Sequence, residues 1–332
     1  MSTTHLTLTE PHLRAGDPPS PKERREALLR LLALLDAADY DFIAPTPASQ
    51  ARVLARGDRR MGATVADLLG WTLPCRPDLL PTDIVSALDA AGDLEWGADE
   101  MIRARVRVSR VYDCLFVHSS YPTTAGDSVF LGPDSLRFAD YISRHIAGLP
   151  DAARILDYGA GAGVGGITAA SLHGNALLTL ADINAKALFL ASTNATFAGV
   201  QHRTAEARSP VDIDDRFDLI VTHPPFMIDP DRRAYRDGGD LYGGRLSVDW
   251  TLAALNRLAP GGKLVMHTGV SIVAGRDVVR DALTALMPAV GYSYEYRTLD
   301  PDIFGDELST PAYAEVDRIA AIGLCVTRTP HE

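Results

Sequence analysis

From residue 134 onward the chain alternates short apolar runs with runs of helical periodicity, and this alternation constrains its fold more than any other feature. Strand-like runs occupy Arg154 to Asp157, Leu177 to Ala181, Phe217 to Val221 and Gly262 to His267. Helical runs lie between them at Val164 to Leu172, Ala185 to Ala198 and Val248 to Leu258. In the second of these, Leu188, Ala191, Ala195 and Ala198 share one face, and Gly199 ends the helix. Strand–helix–strand units cross over with one hand, so the pattern predicts a parallel sheet with helices on both faces. A further helix is predicted over Asp277 to Leu286. No helical run separates the last two strands, Tyr292 to Leu299 and Ile319 to Val326, so they are expected to pair antiparallel.

The chain upstream follows a different pattern. Residues 1–19 are polar and Pro-rich and are expected to be flexible. Ser20-Pro21-Lys22-Glu23 carries a helix-start signature, with Ser20 as cap, Pro21 in the first turn and Glu23 closing a capping box. Further short helices are predicted at Ala48 to Ala55, Val65 to Trp71 and Thr82 to Ala91. In "MIRARVRVSRVYDCLFVH", Ile102, Ala104, Val106 and Val108 alternate with Arg103, Arg105 and Arg107. Strict alternation predicts a half-buried strand with its arginines in solvent, and the run after Asp113 is its expected hairpin partner. Residues 20–124 therefore form a smaller, mainly helical N-terminal domain with a β-hairpin, and 125–332 form the α/β domain.

Composition narrows the function classes. The 332 residues are 46% hydrophobic, enough for a full core. Lys and Arg number 32 against 43 Asp and Glu, a net charge of −11. An acidic surface argues against broad nucleic-acid binding and against anionic membranes. Cys75, Cys114 and Cys325 are widely spaced and form no CxxC pair, so neither a disulfide framework nor a structural metal is expected. No apolar run is long enough to span a bilayer, and no secretory signal is visible, which predicts a cytoplasmic protein.

"ILDYGAGAGVGGI", Ile155 to Ile167, runs from a strand through Gly159, Gly161 and Gly163 into a helix. Such glycines let the backbone turn sharply and let a ligand approach the helix N-terminus. Gly161, Gly163 and Gly166 also satisfy GxGxxG, which alone fits a dinucleotide site. Asp157, at the strand end, disfavours a pyrophosphate and suits a cationic group. Asp182, at the end of the second strand, is placed to take both hydroxyls of a ribose.

"ILDYGAGAG", "LADINAKAL" and "FDLIVTHPPF", in this order, resemble the class I S-adenosylmethionine-dependent methyltransferases. The closer likeness is to the branch with an Asn-Pro-Pro-Tyr/Phe motif, which methylates amino and amide nitrogens. The resemblance covers about Phe130 to Arg328. It implies an α/β, Rossmann-like, seven-stranded fold, S-adenosyl-L-methionine as cofactor and transferase activity. It further implies that the Gly159–Gly163 loop backs the methionine part of the cofactor, beside the Asp157 carboxylate already read as suited to a cationic group. Asp182 then holds the ribose and Ile183 packs on the adenine. "VFLGPDSLRFADYI" is similar to the segment that closes over the cofactor in this branch. "AEARSP", Ala205 to Pro210, departs from the Gly-Asp that many members carry there.

In that branch the Asn and the next carbonyl accept two hydrogen bonds from the target nitrogen, so catalysis is largely positioning. Here His223 stands in place of the Asn, while Pro224 keeps its carbonyl and Phe226 its ring. A neutral imidazole offers one acceptor and can also take a proton. One reading is methyl transfer to a nitrogen of a small molecule or protein side chain, with His223 as acceptor or base touching both cofactor and acceptor. A second is methylation of another atom. A third is cyclisation of S-adenosylmethionine to azetidine-2-carboxylate with release of methylthioadenosine and no acceptor. A dinucleotide oxidoreductase and a cofactor-binding module without turnover are rivals from other classes. A purely local role for His223 is the bland alternative. Tyr235 and Tyr242, in the glycine-rich loop that follows, are candidates to face the sulfonium by cation–π contact. His118 and Tyr121 are weaker candidates for an acceptor pocket.

Overall fold

The computed structural model describes residues 17–97 and 99–330. The expected flexible segment 1–19 falls largely outside them. The chain divides into two compact units, one formed by residues up to Arg110 together with Val117–Pro122, the other by Val111–Phe116 together with Thr123 onward.

The first unit opens with the helix Pro21–Ala37, whose capping box of Ser20 and Glu23 is formed as its sequence predicts. Helices Pro47–Leu54, Val65–Leu69 and Thr82–Ala90 follow. The long strand predicted from Ile102 is broken at Arg105. Ile102–Ala104 pairs antiparallel with Leu94–Trp96, whereas Val106–Val111 pairs with Cys114–Ser119. The alternation of buried and exposed residues ends at the same point. Arg103 and Arg105 are exposed, but Arg107 is 3% exposed and its Nε and Nη2 have no partner. The expectation of three solvated arginines is corrected at Arg107, because Val106–Val111 is covered on both faces. Burial holds its guanidinium down at about 10.

The second unit is a seven-strand path with helices on both sides. Its strands are β1 (Ala153–Tyr158), β2 (Ala176–Asp182), β3 (His202–Glu206), β4 (Phe217–Thr222), β5 (Leu258–Val273), β6 (Tyr292–Ile303) and β7 (Val316–Arg328). They lie in the order β6-β7-β5-β4-β1-β2-β3, and a two-residue strand, Arg276–Asp277, adds to β5. Strands β1 to β5 pair parallel and β7 pairs antiparallel with both β5 and β6. The helices are α1 (Pro133–Ser143), α2 (Val164–His173), α3 (Ala185–Phe197), α4 (Arg245–Leu255) and α5 (Val278–Leu286).

Local sequence explains several boundaries. The side chain of Asn184 accepts from the Lys186 N–H and starts α3; Gly199, at φ +69°, ends it. Asp277 caps α5 by accepting from Val279 and Arg280. On one face of the sheet Leu156, Ile220, Leu264, Ile322 and Leu324 pack with Val248 and Leu255 of α4 and Val279 and Leu283 of α5. Two strands differ from expectation. His202–Glu206 forms β3 without any apolar run. β5 begins at Leu258, where a helix was predicted to end, and continues six residues past His267, because β7 provides a partner beyond the end of β4.

Candidate active site

The C-terminal ends of β1, β2 and β4 lie side by side, which brings the three motifs to one edge of the sheet. That edge is where open α/β sheets bind ligands. The Gly159–Gly163 loop leaves β1 with φ of +71° at Gly159, +53° at Gly161 and +84° at Gly163. At Gly159 a Cβ would stand 2.7 Å from the ring of Trp250, so a side chain is excluded by contact as well as by backbone. At Gly161 it would meet no atom closer than 4.0 Å, so this part of the loop borders open space.

The carboxylate of Asp182 braces the loop. It accepts from the Gly161 N–H at 2.9 Å and from the Asn184 N–H at 2.8 Å, one bond to each oxygen. Each oxygen retains a lone pair. Burial raises its pKa, and the backbone N–H bonds oppose that shift. Beside it Ile183 is 51% exposed, an apolar platform at the strand end. A bidentate carboxylate, an adjacent apolar side chain and a glycine turn facing open space fit a nucleoside cofactor. Asp157 lies deeper, 1% exposed, accepting from the Gly166 N–H at 2.8 Å. Burial pushes its carboxyl up to about 7. In "AEARSP", Ala207 turns its N–H onto the Asp182 carbonyl at 3.2 Å.

β4 ends with the Thr222 hydroxyl donating to the Tyr158 carbonyl at 2.8 Å, which ties the β4 motif to the start of the glycine loop. His223 follows, half-buried, with Phe138 and Phe226 each at 5.7 Å between ring centroids and His267 at 4.8 Å. Its Nδ1 is 2.8 Å from the main-chain carbonyl of His267. A carbonyl accepts, so Nδ1 carries the hydrogen and Nε2 presents a lone pair. Burial lowers the pKa of His223, opposed by the nearby charge of Asp134. Asp134 itself is buried in α1 and paired with Arg137, which also reaches Asp300. Pro224 is buried. The ring of Phe226 is buried against Gly269 and lies 5.8 Å from Phe304.

The loop after the motif is held by two carboxylates. Asp229 binds the Arg233 side chain and backbone, and Glu307 binds Arg236 at 2.7 Å. Within it the Tyr235 hydroxyl donates to the Thr123 carbonyl, and the Arg233 guanidinium lies 5.9 Å from its ring centroid. Tyr242 donates to Glu315 at 2.6 Å and packs in the apolar cluster of Phe226, Ile303 and Tyr313. The hydroxyls of both tyrosines are thus engaged within the protein. His118 is enclosed in the first unit, 2.9 Å from the Ser109 hydroxyl. Among the described residues no group of three or more His, Cys, Asp or Glu side chains is placed to hold a metal. Nor is any of their helices long and apolar enough to cross a membrane.

Sequence reasoning had not singled out His267, Phe138 or Asp134. The signal for His267 lay in strand register. Thr222 pairs with Met266, so the next residue of β5 stands level with His223.

The order β6-β7-β5-β4-β1-β2-β3, with a glycine loop after β1 and a carboxylate after β2, defines a class I methyltransferase fold. Residues 141–270 match the family described as methyltransferase small domain. The match and the fold together support the class I methyltransferase family and S-adenosyl-L-methionine as cofactor. A ribosomal RNA small subunit methyltransferase C from Erwinia tasmaniensis is 44% identical over 75 residues, 22% of this chain and 21% of that protein. A release factor glutamine methyltransferase from Bordetella pertussis is 33% identical over 146 residues, 42% of this chain and 53% of that protein. The chain thus spans from about a fifth to about half the length of these relatives. The structure of M. jannaschii TYW2 in complex with AdoMet aligns with a TM-score of 0.43 at 14% identity, over 68% of this chain and 90% of that one.

The relatives correct one expectation. They are named for ribosomal RNA and for a release factor, so the expectation of a small-molecule acceptor with no broad nucleic-acid binding does not stand. A net charge of −11 is a sum over the whole surface and does not report on local patches. Nothing in the relatives supports cyclisation of the cofactor.

Proposed function

We propose that this chain methylates a nitrogen bearing two hydrogens on a macromolecule, either a side-chain amide of a protein or an exocyclic amine of a nucleic-acid base. The observation that carries the reading is the His223 Nδ1–H bond to the His267 carbonyl, which leaves Nε2 as an acceptor. That acceptor and the carbonyl of the next residue, Pro224, would suit a donor with two N–H groups. Asp182, Ile183 and the Gly159–Gly163 loop would hold S-adenosyl-L-methionine, with Asp157 supporting the loop from below. Bound there, the cofactor supplies an electrophilic methyl group. His223 Nε2 and the Pro224 carbonyl orient the target nitrogen, Phe226 and Phe138 wall the site, and Nε2 receives the proton the nitrogen gives up. The matches to enzymes named for an RNA and for a protein glutamine support a macromolecular acceptor.

The test is incubation with methyl-labelled S-adenosylmethionine and, in separate arms, small-subunit ribosomal particles and a release factor. Label on nitrogen in one arm, with S-adenosylhomocysteine as co-product and loss of about a hundredfold in His223→Phe, is the expected result. Full activity in His223→Phe refutes the role given to His223.

A further inference from the structure

The inference rests on the reading above, in which His223 takes the proton of the target nitrogen. His267 lies within β5 at 0% exposure. Its main-chain carbonyl is 2.8 Å from His223 Nδ1, and its own Nδ1 is 3.2 Å from the same atom. The carbonyl requires the hydrogen to sit on His223 Nδ1. The Nδ1 of His267 must then face that hydrogen with a lone pair, which puts the hydrogen of His267 on Nε2. That Nε2 is buried and has no partner. Leaving a buried donor unpaired is unfavourable, so an apolar side chain would suit this position better if packing were its only role.

We propose that His267 is a positioning residue: its Nδ1 lone pair and its main-chain carbonyl form a two-acceptor seat for the His223 Nδ1–H, and this seat favours a proton on His223 Nε2. The proton leaves the target nitrogen and joins Nε2; the positive ring then shares its Nδ1–H between two acceptors, and the proton passes later to solvent. Nothing is oxidised or reduced. The charged groups facing the pair are Asp134 and Arg137, both from α1. Asp134 favours the proton on His223, and Arg137 disfavours one on His267, so the pair takes a single proton.

Nitrogen-15 NMR of the histidine side chains in the cofactor-free full chain tests the seat apart from turnover. The wild type is expected to show His223 protonated at Nδ1; a neutral Nε2–H form overturns the proposal. In His267→Phe, which keeps the carbonyl and removes the lone pair, the proton affinity of His223 is expected to fall about tenfold. The acidic limb of the methyl-transfer profile should move with it, with lower kcat and unchanged acceptor KM. His267→Gln, whose side-chain oxygen accepts, should restore both. Unchanged His223 titration in the Phe variant, or in His267→Leu should Phe not fold, overturns the proposal while leaving the methyltransferase reading intact. A shifted titration with unaltered methyl transfer instead overturns the catalytic reading of His223, and this role for His267 with it.

Discussion

Phe226 and Gly269 are complementary surfaces: the aromatic ring lies where a Cβ on residue 269 would come within 2.2 Å of it. The position of the Pro-Pro-Phe turn is therefore set in part by a missing side chain on the neighbouring strand. Gly269→Ala should push the ring outward and carry His223 and the Pro224 carbonyl with it. We expect a stability loss of about 1–3 kcal/mol and turnover reduced by at least about tenfold. Calorimetric melting and initial rates check this; a variant with wild-type rate would show that the turn does not depend on the packing of Phe226.

Asp182→Ala removes two backbone braces as well as the proposed ribose partner. The backbone N–H groups of Gly161 and Asn184 both lose their acceptor. S-adenosylhomocysteine binding, measured by calorimetric titration, should weaken by about 2–4 kcal/mol, from charge-assisted bonds worth ~1.5–3 kcal/mol each. Equal affinity would remove the assignment of this strand end to the cofactor.

Gly161→Val tests the open side of the loop. No protein atom obstructs a Cβ there, so the expected folding penalty is limited to the left-handed backbone, about 1–2 kcal/mol. The side chain would project where a ligand is expected, so binding should be lost in a folded protein. Normal binding would reduce the glycine loop to a turn.

Asp157 gives a pH signature. Its carboxyl is pushed up to about 7 by burial, above its unfolded value. The folded state therefore binds the proton more tightly, and stability from this group falls as pH rises through 7. Asp157→Asn keeps an oxygen for the Gly166 N–H and cannot ionise. Relative to wild type it should gain about 2–3 kcal/mol between pH 5 and pH 8. Denaturant titrations at the two pH values read this directly, and a pH-independent difference would count against a raised Asp157.

The central strands were legible because helices cover both faces. β1, β2 and β4 read as apolar runs ending in Asp157, Ala181 and Val221, each one residue short of the strand's end. β3 was not, since an edge strand of sequence His-Arg-Thr-Ala-Glu has little apolar pattern and joins the sheet through β2 alone. The same contrast holds in the site. The glycine loop and Asp182 each end an apolar run and meet through a backbone N–H and a carboxylate 21 residues apart, so successive strand ends announce them. His223 and His267 are 44 residues apart and meet only through strand register. Arg107 followed an alternating pattern that tertiary packing overrode.

The bond between Thr222 and the Tyr158 carbonyl ties together adjacent strands, one leading to the glycine loop and the other to His-Pro-Pro-Phe. The spacing between these two halves is thus set by the repeat of the sheet, about 4.8 Å from strand to strand, and not by the loops that follow. Such a chassis fixes the separation of the two motifs within the sheet itself, before any loop takes its shape.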